Sequence, residues 1–286
     1  MYKKSNISRK DMTKKVFEET VRKLQSIVDN GDYEKFLKFQ KNFRKYSFMN
    51  LVAIFYQFPN ATQVAGKSTW QKLKRELLDD AQKIYILAPI PHKCSKKVKK
   101  IENDEEIEET INYQYNTYRK VFVYDISQTK GEPIPLANNT INSSDMAYFY
   151  KKLKDFSKVP VIEKEIEGTA KGYYCESTNE IAIKSTLSPN DKASVLLHEI
   201  AHSLYDDFDY SKDRDLSEIF VESIAYIVAN HFGLDTSICS FNYIIKWAKG
   251  ETQTVIDLGS KIQKCANKFI DSLENFEIQE TEQLVA

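Results

Sequence analysis

The stretch VLLHEIAHSL, from Val195 to Leu204, places two of the chain's four histidines in an otherwise apolar helical pattern. His198 and His202 are four positions apart, so on a helix their side chains lie on one face and can reach a common atom. Glu199 stands beside them among aliphatic residues. A buried carboxylate is costly unless it has a partner. The pattern therefore indicates a helix whose polar residues have a role in binding or catalysis.

Two imidazoles at this spacing form the HExxH pattern of zinc peptidases. Zn²⁺ accepts nitrogen ligands at about 2.0–2.1 Å, and a metal-bound water becomes acidic enough to lose a proton to a nearby base. We therefore predict that His198 and His202 bind one Zn²⁺ ion, with Mn²⁺ as another option, and that Glu199 is the catalytic base. The alternative is a coincidental match in which both histidines are satisfied core residues.

A catalytic zinc ion needs a third protein ligand and one open position. The next helical pattern, DLSEIFVESIAYIVANHFG (215–233), offers Glu218 and Glu222, again four positions apart. Glu218 also fits a capping box with Asp215 as the N-cap, whereas Glu222 has apolar neighbours. Spacing alone does not choose between the two glutamates. We interpret His231 as a cation at the helix C-terminus or a polar surface residue.

The chain has 286 residues, 42% of them hydrophobic, and can bury a sizeable core. Its net charge of zero conceals an uneven distribution, because residues 1–100 carry 23 Lys and Arg against 9 Asp and Glu, and the remainder carries 18 against 32. This polarity predicts two domains, 1–140 and 141–286, of which the first is attracted to polyanions. The boundary is placed in the polar, turn-rich segment around 137–144.

Export and membrane insertion are not expected. The segment MYKKSNISRKDMTKK lacks the apolar core of a secretory signal, and the most apolar stretch, FMNLVAIFYQF (48–58), is too short to span a bilayer. The cysteines form no CxxC pair, which predicts free thiols in a reducing compartment. We expect a cytoplasmic protein with no membrane partner. The cysteines are Cys94, Cys175, Cys239 and Cys265.

Hydrophobic periodicity predicts an α+β chain. Helices are predicted over about 13–28, 32–57, 66–80, 144–157, 215–232 and 252–275, with a further helix beginning at Pro189 and containing HEIAH. Strands are predicted at 83–90, at 119–129 and on both sides of a turn at 176–179. The segment 93–112 runs from basic to acidic and is predicted to be a solvated loop or hairpin tip rather than a binding site.

The strand NEIAIKS (179–185) comes directly before the histidine-bearing helix. We expect it either to be an edge strand that pairs with an extended polypeptide substrate or to be an ordinary strand of the sheet. Main-chain pairing at such an edge would align a peptide bond with the metal.

Basic and aromatic residues are interleaved in the first hundred positions. Cations follow phosphates and aromatic faces stack unpaired bases, so this arrangement predicts salt-sensitive binding of single-stranded DNA. The alternative is that Tyr46 and Trp70 are core residues and the lysines form an ordinary solvated surface. The candidate DNA contacts are Lys41, Arg44, Lys45, Tyr46, Asn50, Trp70, Lys72, Lys74 and Arg75.

HEIAHSL, followed by EIFVESIAYIVANHFGLDTS (218–237), resembles the zincin-like metallopeptidase domain of the ImmA/IrrE superfamily. The closer likeness is to the ArdC-like antirestriction and LtrC-like proteins of conjugative elements, whose usual form is E-x-E-A-E-S-x-A-Y. Phe220 replaces the middle glutamate of that form and Val221 the alanine. The resemblance implies a gluzincin-like zinc metallopeptidase in which Glu218 binds the metal and Glu222 supports a ligand histidine.

The first half resembles the same group. YSFMNLVAIFYQFPNATQVAGKSTWQKLKRE (46–76) is similar to its single-stranded-DNA-binding domain, and VFVYDISQTKGEPIP (121–135) to its VFD-x-SQT-x-G-x-x-P segment. The resemblance covers about residues 15–250 and departs at Asp79-Asp80, where basic residues are usual. It implies an N-terminal α+β DNA-binding domain followed by a mainly helical zincin-like domain with a small β-sheet.

Together these features predict a protein of a mobile or conjugative element. It would bind single-stranded DNA, hydrolyse a peptide bond in an unknown protein substrate, and protect incoming DNA from restriction. Two alternatives remain open. One is a non-catalytic DNA-binding antirestriction protein with a structural metal site, and the other is a regulatory protease that cleaves a repressor.

Overall fold

The computed structural model describes residues 9–102, 105–134, 146–205, 210–234 and 252–285. The predicted domain boundary and Cys239 lie outside these residues, so the division into 1–140 and 141–286 stays a prediction. Cys94, Cys175 and Cys265 are free thiols. Among the helices in the described part, none is both long enough and apolar enough to cross a membrane.

The described elements alternate between helices and short sheets. The helices are α1 (Arg9–Asp29), α2 (Tyr33–Gln40), α3 (Phe48–Gln57), α4 (Lys67–Lys72), α5 (Met146–Phe156), α6 (Pro189–Tyr205), α7 (Tyr210–His231) and α8 (Thr252–Val285). The strands are β1 (Val64–Ala65), β2 (Arg75–Leu77), β3 (Ile84–Glu102), β4 (Glu105–Asp125), β5 (Thr129–Gly131), β6 (Val161–Lys164), β7 (Gly172–Cys175) and β8 (Glu180–Lys184). Single 3₁₀ turns cover Lys41–Phe43 and Ile126–Gln128.

Helix α6 begins where the sequence predicts. Its start at Pro189 follows Ser188, whose Oγ accepts a hydrogen bond from the backbone N–H of Asp191 at 3.2 Å. Helix α7 is kinked at Asp213, two positions before the start predicted at 215. It is followed by Gly233 in the left-handed region, with φ +80°, which matches the predicted stop.

Two predicted helices in the first half are shorter than expected. The helix predicted over 32–57 is divided into α2 and α3 by the 3₁₀ turn Lys41–Phe43. The helix predicted over 66–80 ends at Lys72, because Lys74 adopts a positive φ of 56° and the chain then enters β2. β2 pairs with β5, where a side chain at Gly131 would overlap the backbone of Lys74. Pairing with a distant strand therefore overrides local helix propensity.

Strands β3 and β4 form one long antiparallel hairpin, in register from Ile84 opposite Val123 to Glu102 opposite Glu105. Its base belongs to the core, where Ile84, Ile86 and Val123 are buried. β1 adds to the outer side of β4. Segment 93–112, predicted to be a loop or a hairpin tip, forms the outer part of this hairpin on both strands.

The second sheet has the order β6-β8-β7, with β8 parallel to β6 and antiparallel to β7. Of the two alternatives for this strand, the ordinary strand of the sheet is therefore the one observed. Ile181, Ala182 and Ile183 are all buried, as expected of a strand that is covered on both faces and paired on both sides. The edge that lies beside α6 is β7.

A close approach of β7 to α6 depends on Gly172. A Cβ atom at this position would lie 2.5 Å from Cγ1 of Val195 and 2.9 Å from the carbonyl oxygen of Ala182. Real Cβ atoms do not come so near their neighbours, so only glycine allows this packing. The absence of a side chain at Gly172 thereby sets the distance between the edge strand and the histidine-bearing helix.

One hydrophobic cluster includes residues from both predicted domains. Phe36 and Leu51 from the first half and Phe220 and Phe269 from the second are buried members of it. Gly259 on α8 makes room for the ring of Phe48, which would overlap any Cβ at that position. The described helices of the two halves therefore share a core.

Candidate metal centre

Two helices bring three potential ligand atoms together. Nε2 of His198 and Nε2 of His202 lie 3.1 Å apart on α6. Oε2 of Glu218 on α7 lies 3.4 Å from the first nitrogen and 3.7 Å from the second. Among the described residues, these three form the group of His, Cys, Asp and Glu side chains whose ligand atoms are close enough to hold one metal ion.

The spacing of these atoms fits a metal ion. Ligand atoms around a tetrahedral ion with bonds of about 2.0–2.1 Å are about 3.3–3.4 Å apart. The three observed separations are 3.1, 3.4 and 3.7 Å. Two neutral imidazoles and one carboxylate also form a ligand set suited to Zn²⁺ or Mn²⁺. His198, His202 and Glu218 could therefore hold a divalent ion without any rearrangement of the helices.

The position of Glu218 follows from the packing of α7. Leu216, Phe220 and Ile224, at helical spacing, are buried, and α7 packs against α6. This leaves Glu218 at the boundary of the core, with its side chain 38% exposed. Glu222, one turn further on, is half-buried and does not belong to the group of three. The geometry thus brings Glu218, and not Glu222, to the histidines.

Glu199 lies beside this group in a buried position, with only 7% of its surface exposed. Burial raises the pKa of its carboxyl group, while the neighbouring His198 and His202 and a hydrogen bond from the backbone N–H of Tyr174 act in the opposite direction. Tyr174 belongs to the edge strand β7. The carboxyl group is thus held between the histidine helix and the sheet edge. The sequence gives no sign of this backbone donor.

The site is open on one side. The side chains of His198, His202 and Glu218 are 26%, 11% and 38% exposed. A structural zinc site is closed by four protein ligands, whereas a catalytic site keeps a position for water or substrate. Within the part of the chain that the structure describes, three ligands at a partly exposed position are compatible with the second arrangement.

Several predicted DNA contacts have structural roles instead. Trp70 is fully buried and its Nε1 donates to the carbonyl oxygen of Tyr124 at 2.9 Å. Asn50 is also buried, where its amide donates to the carbonyl of Leu87 and accepts from the N–H of the same residue. Neither side chain can reach a base in this conformation, which corrects their assignment as DNA contacts.

The two predicted arginines are engaged as well. Arg44, directly after the 3₁₀ turn, pairs with Asp271 and lies 3.5 Å from Glu274, both on α8. Arg75 donates to the hydroxyl and carbonyl oxygens of Thr129, which closes the β2–β5 pair. Both guanidinium groups therefore stabilise the fold, and neither is a freely offered phosphate contact.

The remaining candidates differ in exposure. Tyr46 is half-buried and donates its hydroxyl to the carbonyl of Val64 at 3.0 Å. The lysines are exposed and stay predictions as phosphate contacts; they are Lys41, Lys45, Lys72 and Lys74.

His231 contacts the neighbouring helix α8. Its side chain is 10% exposed, and its Nε2 lies 2.8 Å from Oε1 of Glu274 on α8. Burial lowers the pKa of the imidazole, although the Glu274 carboxylate opposes this effect. His231 is therefore a contact between the last residue of α7 and α8; of the two interpretations, the surface residue is wrong, whereas the position at the helix C-terminus is as predicted.

The part of the chain that carries this site resembles a known domain family. Residues 156–237 match the sequence model of the IrrE N-terminal-like domain, Peptidase_M78. This range contains His198, Glu199, His202 and Glu218. The chain is also similar to the uncharacterized protein pXO2-81 of Bacillus anthracis, with 26% identity over an alignment of 312 positions that covers 93% of this chain and 52% of the relative. The chain therefore spans about half the length of that curated relative.

Two solved structures have the same fold as this chain. The Mn(II)-bound antirestriction protein ArdC from plasmid R388 matches with a TM-score of 0.59 and 13% identity, covering 91% of this chain and 97% of ArdC. This chain has the ArdC fold. The metal-free ArdC structure also matches, with a TM-score of 0.51, 13% identity and coverage of 80% of this chain and 86% of ArdC. The predicted likeness to ArdC, the zincin-like domain and the α+β class are thereby confirmed.

Proposed function

We propose that this chain is a divalent-metal-dependent peptidase of the antirestriction type that also binds single-stranded DNA. The observation that supports it best is the cluster of Nε2 of His198, Nε2 of His202 and Oε2 of Glu218, with mutual distances of 3.1 to 3.7 Å beside the buried Glu199. His198, His202 and Glu218 would hold the ion; two imidazoles and one carboxylate favour Zn²⁺, and Mn²⁺ is the alternative.

Each residue has a defined task in this proposal. A bound divalent ion supplies Lewis acidity, which polarises a peptide carbonyl and makes water a better proton donor. Glu199 accepts the proton from that water on its carboxylate and later donates it to the nitrogen of the leaving amine. The apolar surroundings of Glu199 exclude competing solvent, and the N–H of Tyr174 holds its carboxyl group in place.

The sheet edge next to α6 offers a place for the substrate. β7 is an edge strand, and its Tyr174 amide faces Glu199. An extended polypeptide that pairs with β7 would run past the Glu199 carboxyl group, in the mode known as β-augmentation. This assignment replaces β8, which is enclosed between two strands.

An antirestriction role is supported by the similarity of this chain to the ArdC structures. The solved structures with the same fold are of an antirestriction protein from a plasmid, and one of them holds Mn(II). The excess of Lys and Arg in residues 1–100 favours a polyanionic partner such as DNA. We therefore infer that the chain protects incoming DNA, and that its peptidase site acts on a protein partner.

Catalysis is tested by Glu199→Gln, which keeps the shape of the side chain and removes the base. Purified protein loaded with Zn²⁺ or Mn²⁺ is incubated with a peptide library and the products are identified by mass spectrometry. We expect cleavage by the wild type and a rate about 10²–10⁴ times lower for Glu199→Gln. The metal content of both proteins should be equal.

The same variants distinguish the non-catalytic alternative. In cells with an active restriction system, His198→Ala and Glu199→Gln should both abolish protection of unmodified plasmid DNA. If His198→Ala loses protection and thermal stability while Glu199→Gln retains both, the metal has a structural role and the peptidase proposal is wrong. The exposure of Glu218, at 38%, favours the catalytic outcome.

A further inference from the structure

The outer part of the β3–β4 hairpin has an unusual surface. We call residues 87–97 and 110–120 the hairpin arm. Side chains of directly opposite residues share a face, so His92 and Tyr115 lie together on one face, followed by Cys94 and Tyr113. On the same face, Ile111 and Tyr113 are both 46% exposed. Large apolar side chains are thus presented to solvent along one side of the arm.

The rings of this face form a row. His92 stacks on Tyr115 with ring centroids 5.0 Å apart and an interplanar angle of 15°. Tyr115 in turn stacks on Tyr113 at 6.4 Å and 27°. The hydrogen bond between His92 Nε2 and the hydroxyl of Thr117, at 2.7 Å, fixes the start of the row. Tyr113 is its last ring and the most exposed, so a further flat ring can stack there.

The charged residues of the arm are all positive. It contains no aspartate or glutamate, while five cations are distributed along it. Arg119 and Lys96 share the aromatic face, one on each side of the row, and the opposite face of β4 carries the amides of Asn112, Gln114 and Asn116. A partner that is both aromatic and polyanionic matches this combination. The five cations are Lys93, Lys96, Lys97, Arg119 and Lys120.

We propose that the hairpin arm is the surface that binds single-stranded DNA, with unpaired bases stacked on Tyr113 and Tyr115 and phosphates paired with the arm's cations. This inference rests on the proposed DNA binding and names the residues that perform it. Single strands fit better than duplex, because only unpaired bases expose a face for stacking. The arm supplies the stacking rings that Trp70, being buried, cannot supply.

The test is fluorescence anisotropy of the full chain with a labelled oligothymidylate of about 20 nucleotides, longer than common site sizes. Tyr113→Ala/Tyr115→Ala should weaken binding at least about 25-fold, since each of the two stacks contributes a factor of about five or more. Tyr113→Phe keeps the ring and should bind like the wild type. Lys93→Ala/Lys96→Ala should weaken binding and reduce the slope of log K against log salt by about 1.4.

Matched controls come from α5 and the residues after it. Tyr148→Ala removes a ring that is 51% exposed, and Lys151→Ala/Lys158→Ala removes two exposed cations. These variants should bind DNA like the wild type. All variants are checked by circular dichroism and thermal unfolding, and affinities are compared only between variants that are folded at the assay temperature; Tyr115 is half-buried, whereas the other altered side chains are exposed.

Three results would overturn the inference. If the wild type binds the oligonucleotide and the arm variants bind equally well, another surface holds the DNA and the proposed function survives. If Lys93→Ala/Lys96→Ala loses binding, polyglutamate at equal charge displaces the DNA and the tyrosine variant behaves like the wild type, the arm is a surface for acidic proteins. If the wild type does not bind the oligonucleotide at all, both this inference and the proposed DNA binding are wrong.

Discussion

At the scale of single residues, the predicted ligands depend on different kinds of information. The spacing of His198 and His202 within one helix is a local property, so the sequence alone places them on one face. The choice between Glu218 and Glu222 depends on how α7 packs on α6, which spacing does not determine. The backbone N–H of Tyr174 beside Glu199 leaves no trace in the sequence at all.

The surroundings of Glu19 should make the stability of the folded protein depend on pH. A hydrogen bond from Lys23, at 2.8 Å, and one from the hydroxyl of Tyr85, at 2.5 Å, lower the pKa of its carboxyl group from 4.5 to about 2. The folded state therefore gains stability from ionised Glu19 above about pH 4.5, and this gain is lost as the pH falls towards 2. Thermal unfolding should show Glu19→Gln less stable than the wild type at neutral pH.

The difference between the two proteins should shrink steadily below about pH 4.5 and vanish near pH 2. Lys35→Gln is the control, because Lys35 forms an exposed ion pair with Asp32 that contributes little. A difference between Glu19→Gln and the wild type that is constant from pH 7 to pH 2 would contradict this account.

Trp70→Phe tests the structural role of a predicted DNA contact. The change removes the donor to the Tyr124 carbonyl and leaves space in the core, so we expect the free energy of unfolding to fall by about 1–3 kcal/mol. Urea unfolding measures it, with the exposed Lys72→Ala as control. DNA affinity should not change. An unaltered stability with lost DNA binding would restore Trp70 as a stacking residue.

At the scale of elements, local signals were reliable where the chain itself determines the structure. The start of α6 at Pro189 and the stop of α7 before Gly233 follow from capping chemistry. Pairing partners were not predictable, because the hydrophobic pattern of β8 suits both an edge and a central strand. The early end of α4 has the same origin, since β2 forms only by pairing with β5.

Gly172→Ala tests the contact between the edge strand and the histidine helix. An added Cβ would lie 2.5 Å from Val195 Cγ1, so β7 must move away from α6 and take the Tyr174 amide with it. We expect a loss of about 1–3 kcal/mol in unfolding free energy and a lower peptidase rate at unchanged metal content. Gly66→Ala is the control, since its nearest neighbour is 3.9 Å away. Equal rates for Gly172→Ala and the wild type would contradict the proposed role of β7.

At the scale of the whole molecule, the charge distribution favours two separate regions, whereas the packing joins both halves in one core. Residues 1–100 are basic and the rest is acidic, which favours two functional regions. The hydrophobic cluster nevertheless includes side chains from α2, α3, α7 and α8 together. Charged residues lie on the surface, so their distribution indicates which kinds of partner the protein attracts. The core depends on contacts between distant segments, which no single stretch of sequence reveals.

Gly259→Ala tests whether the described halves unfold together. The new methyl group would overlap the Phe48 ring, so we expect a loss of about 1–3 kcal/mol. Because both halves share one core, urea unfolding followed by tryptophan fluorescence and by circular dichroism should shift by the same amount. Two transitions, of which the variant shifts only one, would show that the halves are energetically independent.

The central claim is that His198, His202 and Glu218 hold one divalent ion. The most direct measurement is the metal content, by mass spectrometry of dialysed protein, of the wild type and of His198→Ala, His202→Ala, Glu218→Gln and Glu222→Gln. We predict about one ion per chain for the wild type and Glu222→Gln, and strong depletion in the other three. Full metal content in His198→Ala and His202→Ala, or its loss only in Glu222→Gln, would contradict the account.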